Sequence, residues 1–81
     1  RMELDKFLKV SRLIKRRTVA NEACDAGRVL VNSKVARASY DVKVGDVIEI
    51  TFGEKLFKAQ VLDVKEYTKK EDAALLYKIV E

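Results

Sequence analysis

Histidine is absent from the 81 residues, and cysteine occurs once. A Ser-His-Asp or Cys-His nucleophile therefore cannot be assembled. A structural zinc site lacks its usual ligands, and no internal disulfide can form. Proline is also absent, and there is no low-complexity tract or internal repeat, so no linker is expected. No apolar run approaches 18 residues, so no membrane span is expected. With no signal-peptide pattern the chain reads as cytosolic. Three glycines, Gly27, Gly45 and Gly53, lie too far apart to cradle a phosphate. Three Tyr and three Phe are too few for the aromatic platform of a single-strand binder. The carboxylate pairs Glu3/Asp5 and Glu71/Asp72 both sit at expected helix starts, which explains them without catalysis. The expectation is a non-enzyme with no cofactor and no metal. The length suits one small domain, and 48% apolar residues suffice for one compact core.

What is present is cationic charge, unevenly placed. Residues 1–44 hold eleven Lys/Arg against five Asp/Glu, whereas residues 45–81 hold six against eight. Lys6, Lys9, Arg12, Lys15, Arg16 and Arg17 fall in one short stretch with no acid among them. A solubility face usually alternates sign with i,i+4 pairs. An uninterrupted cationic run beside an acidic half is instead an oriented field that draws polyanions.

The apolar spacing predicts a helix over 4–13. Leu4, Phe7, Leu8 and Ser11 share its packing face, and Asp5, Lys6, Lys9 and Arg12 point outward. A second helix is expected from Arg17 to Ala26, burying Ala20, Ala23 and Cys24 and stopped by Gly27. Cys24 reads as a small buried hydrophobe. Lys15, Arg16 and Arg17 then lie at the bend, where cations oppose the helix dipole. Tolerating that opposition points to an anionic partner there. Extended segments follow at 28–32 and 34–40, with an Asn32-Ser33 turn between them. Val47–Phe52 alternates, placing Ile48, Ile50 and Phe52 on one side, and Leu56–Val64 is a further strand. Tyr40 reads as a packing residue. Thr68-Lys69-Lys70-Glu71 has the pattern of a capping box opening a last helix, with Ile79 and Val80 as a tail strand.

Two helices, then Gly27-Arg28-Val29-Leu30-Val31-Asn32, then Val42-Lys43-Val44-Gly45-Asp46-Val47-Ile48, resemble the RNA-binding domain named after ribosomal protein S-four. That likeness covers about 4–52 and implies an α+β fold. It is the αL RNA-binding motif, two N-terminal helices packed on a small, mostly antiparallel sheet, with a C-terminal strand and short helix over about 55–81. One domain, 1–81, is expected. The run from Leu4 through Thr18, together with Phe52-Gly53 and Thr68–Glu71, is similar to the RqcP family, relatives of the fifteen-kilodalton heat-shock protein. The resemblance implies a non-catalytic factor on stalled large ribosomal subunits. Its implied partners are large-subunit rRNA, peptidyl-tRNA and the RqcH-type tailing factor that adds alanine to the nascent chain. A monomer is expected.

Matched by position, Asp5, Lys6 and Arg17 correspond to family residues implicated in contacting rRNA and tRNA. Lys9, Arg12, Lys15 and Arg16 complete the expected phosphate-gripping face, and Lys34 and Arg37 extend it. The family usually has Arg where this chain has Glu3, and Arg1 would substitute if the N-terminus folds back. With about six phosphates neutralised, log affinity should fall against log salt with a slope of about −4 to −5. Two other functions compete. One is a heat-shock-type recycler that moves trapped tRNA, whose known form has a long basic extension where this chain ends after an acidic-leaning helix. The other is a basic module that binds an acidic protein. The phosphate reading requires that carboxylates not fill the bend between the helices.

Overall fold

The computed structural model describes residues 1–81. Helices α1 (Leu4–Val10) and α2 (Arg17–Asp25) precede strands β1 (Val29–Val31) and β2 (Lys34–Val35). Strands β3 (Val47–Phe52) and β4 (Lys55–Val61), a 3₁₀ helix (Lys70–Leu76) and β5 (Tyr77–Ile79) complete the chain. The five strands form one antiparallel sheet in the order β2-β1-β3-β4-β5. This is the α+β architecture expected from the sequence.

Pairing Val29 with Ile50, Val31 with Ile48 and Ile48 with Ala59 lines the apolar residues of three strands on one face. Strand side chains alternate, so this register points all of them toward the core. There they meet Leu4, Phe7 and Leu8 of α1 and Ala20, Ala23 and Cys24 of α2, all buried. The small α2 residues let that helix approach closely, as their size predicts. Phe52 continues the alternation at the end of β3 but is half exposed.

Helix α1 is shorter than its apolar spacing suggests. Ser11 caps it, and Arg12 then takes the left-handed conformation (φ 63°). Ile14 joins the core and Leu13 packs against it from the turn that follows, not from a further helical turn. Helix α2 ends as expected, with Gly27 at φ 75°. The β1–β2 turn has positive φ at both Asn32 and Ser33 (52° and 71°), the combination that matches strand twist in a two-residue hairpin. Beyond it β2 has only two residues, because the segment after Val35 leaves the sheet to tie down the N-terminus. Leu4 N–H donates to Tyr40 O (2.8 Å), Asp5 N–H to Ala38 O (3.1 Å) and Val42 N–H to Met2 O (2.8 Å). The expected strand over 34–40 is therefore mostly a backbone strap.

Thr68 does not open a capping box. The final helix is 3₁₀, its N-cap is Lys69, and no side chain caps it. The Thr68 hydroxyl instead donates to Val10 O at the end of α1 (3.0 Å). This bond brings the loop after β4 against the basic helix.

Candidate nucleic-acid interface

Lys6, Lys9 and Arg12 project from one side of α1 and its capping turn. Arg17, the first residue of α2, faces them across the bend. All four line a single open cleft of about 200 Å³. Its far wall is Glu66, Tyr67 and Thr68 from the loop after β4. The α-helical spacing from 6 to 9 and the reversal at Arg12 account for three of these positions. The fourth follows from packing α2 against α1.

Asp5 lies behind Arg17, between the two helices, and does not point outward as its place on the helical wheel suggests. It is 6% exposed, and both carboxylate oxygens are occupied. Oδ1 accepts from Lys6 N–H (2.8 Å) and lies 3.2 Å from the Arg17 guanidinium, and Oδ2 accepts from the Asn21 amide (3.1 Å). Burial alone would raise its pKa. The hydrogen bonds from Asn21 and Arg17, the Arg17 charge and the Lys6 N–H outweigh burial and hold it below the usual aspartate value. Asp5 thus bolts α1 to α2 and fixes Arg17 at the cleft.

The bend does contain carboxylates. Arg17 Nη2 contacts both Glu3 and Asp5, and Lys6 is paired with Glu66. The run 6–17 carries no acid of its own, but packing brings three to it. Lys9, Arg12, Lys15 and Arg16 have no carboxylate partner and are exposed. Both Arg17 contacts use Nη2, which leaves Nε and Nη1 without an intramolecular bond. Arg12 holds a long hydrogen bond to Thr68 O (3.4 Å). Arg16 is the N-cap of α2 without a capping bond, and no acid follows in the first turn.

Arg1 does not substitute for the cation missing at Glu3. Its guanidinium donates to Ser39 O (3.0 Å) and does not line the cleft. Lys34 and Arg37 line a separate groove beside β1 and β2. Lys15 and Arg16 lie on the bend but outside the cleft wall. Six expected cations therefore divide into four around one cleft and two on its shoulder, with the hairpin pair apart.

The sequence reading missed Glu66, Tyr67 and Thr68. The available signal was an aromatic residue in a polar loop, Lys65-Glu66-Tyr67-Thr68-Lys69, where nothing apolar explains it. It also missed the structural duty of Asp46, which is 8% exposed. Its carboxylate receives the Tyr40 hydroxyl (2.9 Å), the Asn32 amide (3.0 Å) and Lys43 N–H (2.9 Å). Tyr40 is accordingly a structural residue, and its hydrogen bond to Asp46 raises its pKa.

A helix pair packed on an antiparallel sheet, with cations converging between the helices, defines an RNA-binding domain of the S4 class. The S4 domain family matches residues 2–48, which cover both helices, the β1–β2 hairpin and the start of β3. The chain belongs to the family of RQC P-site tRNA stabilizing factors, the RqcP family that its sequence resembles. It is 58% identical to the member from Streptococcus pneumoniae, over 98% of this chain and 90% of the relative. It is 56% identical to the Bacillus subtilis member, over 99% and 93%. The solved structure of Vibrio cholerae heat shock protein 15 superposes with a TM-score of 0.90 at 25% identity, covering 98% of this chain and 81% of that one.

Proposed function

We propose that this protein is a non-catalytic RNA-binding factor that steadies the P-site tRNA on a stalled large ribosomal subunit during ribosome-associated quality control. The observation that carries the reading is the convergence of Lys6, Lys9, Arg12 and Arg17 on one cleft between α1 and the loop after β4. Cations at that density bind a polyphosphate backbone through its charge and spacing, without reading sequence. Structured RNA is met mostly in this way. The near full-length identity to tRNA-stabilizing factors supports tRNA and rRNA as the polyanions.

In this proposal Lys9, Arg12, Lys15 and Arg16 take phosphates directly. Arg17 does so through Nε and Nη1 while Asp5 holds Nη2, and Lys6 exchanges Glu66 for phosphate. Asp5 acts through Arg17 and touches no RNA. Lys34 and Arg37 make a second, independent contact. The factor acts in the cytoplasm as a monomer, and the RqcH-type factor extends the nascent chain on the particle that it steadies. No helix is long and apolar enough to cross a membrane.

The test is binding to large subunits carrying P-site tRNA across a salt series. With Lys6, Lys9, Arg12, Lys15, Arg16 and Arg17 each on a phosphate, this face is expected to give a slope of log affinity against log salt of about −4 to −5. A flat slope would refute phosphate gripping. Loss of alanine-tailed chains on deletion, restored by the wild-type gene, would place it in tailing. Accumulation of subunits with displaced, uncleared tRNA would instead favour the recycling role. Sedimentation of the free protein checks the monomer, the alternative being a trimer like that described for the Vibrio cholerae protein.

A further inference from the structure

Tyr67 is 80% exposed, more than any other large apolar or aromatic side chain in the chain. The other two tyrosines have structural partners. Tyr40 donates to Asp46, and Tyr77 packs edge-to-face on Phe57 with ring centroids 6.4 Å apart. Tyr67 makes no side-chain hydrogen bond and packs on no ring, yet it forms part of the wall opposite Lys9 and Arg12. Both its neighbours are anchored to α1. Glu66 pairs with Lys6, and the Thr68 hydroxyl bonds Val10 O. The ring is thus presented to solvent from a loop that the Thr68–Val10 bond holds on α1 even when Lys6 leaves Glu66 for phosphate. A preorganised group of this kind loses little freedom on binding.

We infer that Tyr67 is a stacking surface for one unpaired nucleobase of the RNA whose phosphates the cleft holds. The inference rests on the proposed RNA-binding role and adds a feature that backbone recognition lacks. Phosphates alone do not distinguish a paired from an unpaired nucleotide. An aromatic face does, because only a base released from its helix can lie on it. Stacking tolerates any base, so the preference is for an unpaired position and not for a sequence.

The experiment compares two RNA hairpins with equal phosphate number, one fully paired and one with a single-nucleotide bulge. Wild type should bind the bulged hairpin more tightly. Tyr67→Ala should lower affinity for it by about fivefold to 150-fold, the range of one base–aromatic stack, and leave the paired hairpin unchanged. Tyr67→Phe should retain the preference. Tyr67→Trp introduces the only tryptophan, whose fluorescence should be quenched by the bulged RNA alone. Equal binding of both hairpins by wild type, or no effect of Tyr67→Ala, overturns the inference, and so does an equal loss in Tyr67→Phe. A Lys9→Ala/Arg12→Ala double variant should weaken both hairpins. If it binds as wild type does, the RNA reading of the cleft itself fails, independently of Tyr67.

Discussion

Arg12 allows stability and binding to be driven in opposite directions by one substitution. Its φ of 63° is a conformation that costs an L-residue roughly 1–2 kcal/mol and glycine almost nothing. Arg12→Gly removes that strain but adds the extra unfolded-state freedom of glycine, about 0.5–1 kcal/mol. The side-chain bond that is lost, to Thr68 O at 3.4 Å, is long and exposed and contributes little. The net expectation is a gain of about 0.5 kcal/mol, which raises Tm by a few degrees in a domain of this size. Binding should move the other way. One phosphate contact fewer makes the salt slope shallower by about 0.7–0.9. Through counterion release alone, that weakens affinity about fourfold to sixfold at 0.15 M salt. Thermal melts and a salt titration on large subunits measure the two effects. Arg12→Lys should retain the slope but not the gain in stability. A variant that is less stable and binds RNA as wild type does would show that Arg12 is a structural side chain, and would remove it from the interface.

Glu3→Gln and Glu66→Gln free Arg17 and Lys6 from their carboxylates, so the double variant should bind more tightly at low salt. Its slope should stay as in wild type, because the same cations meet phosphate in both complexes. Unchanged affinity would mean that Arg17 and Lys6 take no phosphate. Gly27→Ala meets no atom within 4 Å but forces alanine to a φ of 75°, so the strain of roughly 1–2 kcal/mol, less about 0.5–1 kcal/mol recovered from glycine's unfolded-state freedom, leaves a net loss of about 0.5–1 kcal/mol in chemical denaturation. The lowered pKa of Asp5 makes its contribution to stability complete above the ordinary value of 3.8, and lost as pH falls through the folded value. Melting temperature should therefore drop below about pH 4, and Asp5→Asn should flatten that drop. Burial pushes the Cys24 thiol up to about 11, with Asp5 and Asp25 adding to the shift, so alkylation at neutral pH should proceed only as the protein unfolds.

Local chemistry made most of the fold legible. Leu4, Phe7, Leu8 and Ser11 are buried as their helical spacing requires, and Gly27 and Asn32-Ser33 take the positive φ values that their types permit. Misreadings arose where a distant partner overrides a local rule. Thr68 satisfies the capping pattern, yet the carbonyl of Val10 competes successfully for its hydroxyl. Lys34 to Tyr40 has weak strand character, but Tyr40 O and Ala38 O are taken by the N-terminal helix, so pairing with β1 stops after two residues. Arg12 fits a helical wheel until its backbone reverses. Nothing in its side chain announces that reversal, because the residue type that usually makes it is glycine.

The candidate site was legible in its sign and not in its accounting. A charge run counts residues along the chain, whereas a field is set by distance in space. Glu3 and Asp5 lie just outside the run, and Glu66 is about fifty residues beyond its end, yet all three meet its cations. They do not have the same effect. Asp5 is buried, is already held by Asn21 and Lys6 N–H, and cannot leave without stranding those partners, so it stays on Arg17 when RNA arrives. Glu3 and Glu66 are substantially exposed, and water can take them over at small cost. A phosphate can therefore displace the second kind of acid and must accommodate the first. This is why Arg17, held by the buried Asp5, is the best oriented and the least free of the cleft's cations.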